Sequence, residues 1–539
     1  MKTIDNLAIF IECSTGSTPT VEALKTYIDY VSAFGYKQIY LGVTDAYKIP
    51  GHPYFNYNRG GYTKEQFMEI DAYAEAHGME LRLNFQTLAH LDYISKYDMY
   101  RDMMDTEDTL MVGEDATYEF IDCMFAALSD AVKSRTIHIG MDEAWNLGLG
   151  QYLKKYGFHE KQELLLYHLE RVIEIAKKYN YACEMWADMF FRMVQGSDFV
   201  NSGVVPKGIK ELIPEGVNLI HWMYEKQPEG VFERQLCDVK SLSDNVSFAG
   251  SARKEFGLAP YNRYSIELME EQMQVCREQD IDRYIVTLWS NSGAFTSIFS
   301  VLPAVYAACE LAKGKTAAEI DKAKFKEIVG LDYDSFMLLD HMNDPFYKYM
   351  DTVNNRSFWG LFMDMLIPSY DSLIPEGINE AYAELAERYA AIDAGKFQPI
   401  FNNYINLSKI LSIKMELSLK IRKAYKENDV EHLSQYAKSD IAQMVSLLEH
   451  YLKQYEEYWF GENMAYGIEV HHLYIGGLIA RWKSVEDRLL NYVANGVKIE
   501  ELENEALPNR LTPWCYKETS SIDDCMEPNF KRVISFCWL

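Results

Sequence analysis

Two adjacent acids, Asp142 and Glu143, close the stretch Thr136-Ile137-His138-Ile139-Gly140-Met141-Asp142-Glu143. Carboxyls side by side repel, which raises the proton affinity of one of them. A carboxyl that keeps its proton near neutrality is what general acid catalysis uses. The pair alone is a weak signal, because most Asp-Glu pairs sit at solvated helix starts, where the dipole favours negative charge. Position sharpens it. The stretch begins as a β-branched run that reads as a strand buried on both faces. A long amphipathic segment follows from about Glu160. An acid pair at the carboxyl end of a buried strand, ahead of a helix, is where a (β/α)8 barrel keeps its chemistry.

The elements that would hold such a pair are legible on both sides of it. Short apolar runs occur at Leu7–Ile11, Gln38–Val43, Leu81–Phe85, Thr136–Gly140, Cys183–Ala187, Val217–Trp222, Val246–Gly250 and Tyr284–Trp289. Segments of helical spacing lie between them, at Val21–Phe34, Thr63–His77 closed by Gly78, Tyr118–Lys133, Gln162–Tyr179, Gly230–Leu242 and Ser265–Gln279, and after the last of them at Phe295–Leu311. Such alternation predicts a parallel sheet. The count of eight strands, with no Gly-rich phosphate loop after the first, favours a closed barrel over an open doubly wound sheet. Past Gly314 the strand-like runs stop, and long amphipathic segments take over at Asn379–Ile392, Tyr404–Glu427, Val430–Tyr458 and Val470–Val493. The expected architecture is an α/β chain, a (β/α)8 TIM barrel over residues 1–313 followed by an all-α C-terminal domain over residues 314–539. Gly476-Gly477 inside the last segment predicts close approach of another backbone. The tail Pro508–Leu539 is aromatic and Cys-containing and has no assignable element.

The 539 residues exceed what one hydrophobic core serves. A formal charge of −27 repels phosphate backbones, so nucleic acid is not an expected partner. The nine cysteines are odd in number and scattered, without C-x-x-C, which speaks for reduced thiols and against a disulfide framework or a zinc site. The start of the chain has no apolar leader, and no long uncharged apolar run appears, so the expectation is a cytoplasmic protein without a membrane partner. No cluster of His and Asp at strand ends makes a convincing metal site, and no cofactor is expected.

Further motifs accompany the pair in order: Pro53-Tyr54-Phe55, Arg59-Gly60 with Tyr62-Thr63, Gln86-Thr87-Leu88-Ala89-His90-Leu91, Trp186-Ala187-Asp188-Met189-Phe190-Phe191, Phe248-Ala249-Gly250, Ser300-Val301-Leu302-Pro303 and Gly476-Gly477-Leu478-Ile479-Ala480-Arg481. With His138-x-Gly140-x-Asp142-Glu143, this set resembles the family 20 glycoside hydrolases, the β-N-acetylhexosaminidases. The resemblance is closest to the hexosaminidase D-like branch, a barrel followed by a helical domain. It implies exo-acting, substrate-assisted, retaining hydrolysis through an oxazolinium ion, in which the sugar's own 2-acetamido oxygen attacks the anomeric carbon. Glu143 would protonate the departing oxygen and then deprotonate water. Asp142 would hold the acetamido N–H and stabilise the oxazolinium charge, and Tyr224 of Trp222-Met223-Tyr224 would aim the acetamide oxygen. Neighbouring side chains at a strand end diverge, so each acid could serve a different part of the sugar. Trp186, Trp222 and Trp289 would wall the pocket, although strand-end tryptophans serve equally as core. His90 would orient a carboxylate. His138 reads as a hydrogen-bonded core histidine. Asp188 would bond a neighbour of the pair or cap the next segment.

The sequence also departs from the family. Thr15 stands where relatives carry a hydroxyl-binding arginine, Arg253 and Glu255 where they carry tryptophans, and Phe295 where an acid would hold the outer hydroxyls. The implied substrate is a small oligosaccharide or glycoside of a non-standard or substituted acetamido sugar. Arg253 would read a charged group on it or else pair with Glu255. The alternative is a catalytically weak barrel acting as a sugar-binding regulator. A homodimer is compatible with the helical domain.

Overall fold

Parallel pairing runs from β1 (Asn6–Glu12) through β2 (Gln38–Gly42), β3 (Glu80–Asn84), β4 (Thr136–His138), β5 (Ala182–Trp186), β6 (Asn218–Trp222), β7 (Val246–Ser251) and β8 (Arg283–Leu288), and β8 pairs back with β1. The eight strands therefore form a closed barrel. The structure, a computed structural model, describes residues 2–14, 16–195, 208–255, 257–290, 295–346, 356–367, 371 and 374–504. The chain comprises two compact units: residues 1–252, 265–289 and 304–321, which hold the barrel, and residues 253–264, 290–303 and those from 322 onward, which are helical.

Strand periodicity builds the barrel interior. Ala8, Phe10, Tyr40, Trp186, Ile220, Ala249 and Ile285 form one buried cluster, with Trp222 and Trp289 packed against it. Alternation carries the same inward face to Glu12 at the end of β1 and to Trp222 at the end of β6. At the amino-terminal end, Glu184 accepts from Tyr40 at 2.6 Å and pairs with Arg283 at 2.6 Å and Arg82 at 3.1 Å. Burial opposes the Glu184 charge, but the two guanidinium groups outweigh it and hold the carboxyl below its usual range. A polar cavity of about 520 Å³ lies at that end, opposite the face where barrels place their chemistry.

The starts of two barrel helices are fixed by side-chain caps. Thr20 accepts from Ala23 at the head of Val21–Phe34, and Thr63 with Gln66 makes a reciprocal box at the head of Lys64–Ala76. The structure differs from expectation at the end of β4, after β5 and after β8. β4 stops at His138 instead of Gly140, because Gly140 (φ 70°) and Met141 (φ 68°) are left-handed and cannot continue a strand. The helix Asp188–Gln195 begins directly after β5, where the sequence showed only a capping aspartate. The segment expected as one helix over Phe295–Leu311 is a 3-10 turn, Ile298–Val301, followed by the helix Leu302–Ala312.

The helical unit contains Arg356–Phe362, Ile378–Ala390, Gln398–Lys414, Leu417–Lys426, Val430–Gln435, a π-helical turn Tyr436–Ile441, Ala442–Glu462 and Ile468–Asn495. Trp359, Trp459 and Trp482 are among its fully buried side chains. Asp364 receives two bonds from the Arg481 guanidinium, at 2.6 and 3.0 Å, which explains the arginine in the Gly-Gly motif. The glycines themselves contradict their reading. A Cβ on Gly476 or Gly477 would meet nothing within 4 Å, so no backbone approaches them among the described residues. No described helix is long and apolar enough to cross a membrane.

Candidate active site

The loop after β4 brings the acid pair into place through unusual backbone. Gly140 (φ 70°), Met141 (φ 68°) and Glu143 (φ 51°) all occupy the left-handed region, as does His90 (φ 58°) in the loop after β3. For side chains bearing Cβ this conformation costs energy that surrounding contacts must supply. Its effect is visible in the geometry. Extended neighbours would diverge, but here the two carboxylates converge: His90 Nε2 lies 3.2 Å from Asp142 Oδ2 and 3.8 Å from Glu143 Oε2. Asp142 also accepts from Gln86 Nε2 at 2.9 Å.

The environments of these groups differ. Burial disfavours the His90 charge, but Asp142, its hydrogen bond, Glu143 and Asp188 outweigh it and raise the imidazole to about 10. Burial likewise disfavours the Asp142 charge, yet the His90 cation and the bonds from His90 and Gln86 hold that carboxyl below its usual range. Asp142 is thus an ionised acceptor. Glu143 is more open, with 34 % of its side chain exposed against 14 % for Asp142. The carboxyl pushed upward is a third one, Asp188. Burial and then Asp142 raise it to about 7, against the opposing charge of Arg192.

Asp188 is fully buried and organises its surroundings. It accepts the backbone N–H of Glu143 at 3.1 Å and the Trp222 indole N–H at 3.4 Å, and it pairs with Arg192 at 3.0 Å. It therefore bonds a member of the pair itself, through the Glu143 backbone, and opens the helix Asp188–Gln195. Arg192 also reaches Glu143 Oε1 at 3.4 Å and lies over the ring of Trp145 at 3.8 Å. Tyr224 stacks on Trp222 with ring centroids 5.3 Å apart and lies edge-on to Trp289 at 6.2 Å. Trp186 is 1 % exposed and packs against Phe10, His138 and Trp289, so it belongs to the core layer. His138 is also core. It accepts from the Gly140 N–H at 3.0 Å, and burial lowers it to about 4, which keeps it neutral.

Arg253 belongs to the helical unit, where it is buried and pairs with Glu255 at 3.0 Å, the plainer of its two expected arrangements. Phe295, in the same unit, packs edge-on against His471 at 4.4 Å. Thr15 lies outside the described residues. Among the described residues, His90, Asp142 and Glu143 form one group that could offer three ligand atoms to a metal ion, all within 4.8 Å of one another.

Sequence reasoning assigned no role to Gln86, Trp145 or Arg192. Gln86 was inside a quoted motif, and Arg192 stands four residues after Asp188, the spacing of a helical ion pair. Trp145 had no signal beyond its nearness to Glu143.

The barrel and the helical unit agree with what comparison with known proteins finds. The model of the glycosyl hydrolase family 20 catalytic domain matches residues 40–226, and that of the Glycoside Hydrolase 20C C-terminal domain matches residues 334–515. Together they span well over half of the chain, which belongs to glycosyl hydrolase family 20 and is a glycoside hydrolase. Similar solved structures include the GH20 β-N-acetylhexosaminidase of Streptomyces coelicolor A3(2), 17 % identical, covering 61 % of this chain and 70 % of that one, with a TM-score of 0.44. Another is the GH20 exo-β-N-acetylglucosaminidase of Vibrio harveyi in complex with N-acetylglucosamine, 13 % identical, covering 62 % and 58 %, with a TM-score of 0.46. No curated protein matches the chain.

Proposed function

We propose that the protein is an exo-acting β-N-acetylhexosaminidase that uses the substrate's own acetamide as nucleophile. The observation that carries this reading is the contrast within the acid pair: Asp142 is enclosed and held ionised by His90 and Gln86, while Glu143 beside it is open. An ionised carboxylate suits an acetamido N–H and the positive oxazolinium that forms from it. An accessible carboxyl suits proton delivery to the glycosidic oxygen and proton removal from water. Tyr224, held between Trp222 and Trp289, is the proposed partner of the acetamide oxygen, and the two indoles offer faces for the sugar's C–H surface.

The departures at Thr15, Arg253, Glu255 and Phe295 extend the proposal to an acetamido sugar differing from plain N-acetylglucosamine in its outer hydroxyls. The Arg253–Glu255 pair does not support a role for Arg253 in reading a charged substituent, since its charge is already matched. A small soluble oligosaccharide is the proposed substrate. A cytoplasmic setting is proposed with it, supported by the unpaired thiols of Cys13, Cys123, Cys183, Cys237, Cys276 and Cys309.

The test is release of the aglycone from aryl β-N-acetylglucosaminide, β-N-acetylgalactosaminide and their sulfated forms, against a Glu143→Gln control. Turnover of at least one by the wild type and its loss in the control is expected. Binding without turnover of any of them would favour a sugar-binding regulator instead.

A further inference from the structure

Trp145 stands two residues beyond Glu143 with 46 % of its surface exposed. It is nevertheless fixed. Its backbone N–H donates to the Glu143 carbonyl at 2.7 Å, and its backbone carbonyl accepts from Lys161 Nζ at 2.5 Å. The Arg192 guanidinium carbon lies 3.8 Å from its ring centroid, a cation–π contact that covers one part of the indole. Arg192 is itself buried and anchored by Asp188 at 3.0 Å, and it also reaches the Glu143 carboxylate at 3.4 Å. One buried cation thus ties an open indole and an open carboxyl into a single rigid piece. The ring's remaining surface is apolar, wet and held in one orientation. A preorganised face of this kind binds a ligand without first having to be ordered.

We propose that Trp145 is the platform of a subsite for the departing sugar, stacking the C–H face of a pyranose aglycone. The inference rests on the reading of Glu143 as the proton donor. The donor faces the glycosidic oxygen, and whatever that oxygen carries away extends on the donor's side, where Arg192 fixes the indole. The chemical class of ligand is a pyranoside with an apolar face, so the preferred substrates are oligosaccharides and not glycosides of small alcohols. No bond is made or broken by Trp145, which acts by binding the leaving group in both ground and transition states.

The experiment compares two substrates that both need protonation of a poor leaving group: a β-1,4-linked disaccharide of N-acetylglucosamine and the methyl β-glycoside of the same sugar. The corresponding galacto pair is run alongside. Trp145→Ala is expected to lower kcat/KM on the disaccharide about tenfold, within the range of a lost aromatic contact, and to leave the methyl glycoside within about twofold. Trp145→Phe, which keeps a ring, is expected to recover most of the disaccharide rate. Equal losses on both substrates would assign Trp145 to support of Glu143 and overturn the subsite, as would no loss on either. Wild-type protein inactive on all four substrates and on their sulfated forms would remove the reading of Glu143 and the subsite with it, a result distinct from either of those.

Discussion

His90 stands 3.2 Å from a carboxylate oxygen of Asp142 and 3.8 Å from one of Glu143, so a single imidazolium serves both members of the acid pair. The chain achieves this by left-handed residues on both sides of the contact, His90 in one loop and Met141 and Glu143 in the other. Much of what the site does electrically follows from that shared cation.

His90→Gln should move the acid limb of the activity profile to higher pH. The His90 cation helps hold the Asp142 carboxyl below its usual range despite burial, so an uncharged replacement lets Asp142 protonate earlier as pH falls. A kcat/KM profile whose acid limb stays in place would show that Asp142 need not be ionised. Stability has its own signature. The imidazole is raised from 6.5 to about 10, so its contribution is fully present below pH 6.5 and is lost as pH rises through about 10. Asp142, depressed, contributes above its usual 3.8 and loses that contribution as pH falls through its folded value. The melting difference between wild type and variant should therefore be widest between these limits and fade above pH 10.

Arg192→Leu removes the cation paired with a fully buried Asp188. Leaving a buried carboxylate without its partner typically costs about 3–5 kcal/mol. Asp188 is already raised from 3.8 to about 7, so it stabilises the fold most at acid pH and loses that contribution as pH rises toward 7. In the variant the decline should continue to higher pH. Thermal melts from pH 5 to pH 9 should show the gap to wild type widening with pH, and a constant gap would mean that Arg192 acts by packing alone.

Gly140→Ala should damage the site more than its size suggests. Its φ of +70° is unfavourable for alanine, and the added Cβ would come within 2.0 Å of Gln86 Oε1 and 3.0 Å of the Phe85 carbonyl oxygen. Gln86 is the side chain that bonds Asp142. The expectation is a loss of about 1–3 kcal/mol in stability from backbone strain, with a further drop in kcat. Restored kcat in a Gly140→Ala, Gln86→Ala double variant would show instead that Gln86 only obstructs the methyl.

The barrel was legible because eight buried runs separated by helical periods leave few alternatives, and the strand ends fall within two residues of where the apolar runs stop. β4 shows the limit: its β-branched pattern continues through Ile139, while Gly140 and Met141 have already turned left-handed. The acid pair was legible by position and resemblance, but its partners were only partly so. Gln86 and His90 come from another loop, and nothing in their spacing says which carboxylate they bond. Arg192 lay in a helix the sequence did not announce. Gly476-Gly477 misled because a glycine pair in a helix marks permission for close approach, and the described structure makes no use of it.

In the proposed mechanism the substrate's amide, not a protein carboxylate, attacks the anomeric carbon. This step is tested most directly by kcat/KM for a series of aryl β-glycosides bearing N-acetyl, N-fluoroacetyl, N-difluoroacetyl and N-trifluoroacetyl groups. Each fluorine withdraws electrons from the amide oxygen, so the account predicts a steep fall along the series, parallel for gluco and galacto sugars. A flat series would contradict it and return the role of nucleophile or base to the protein.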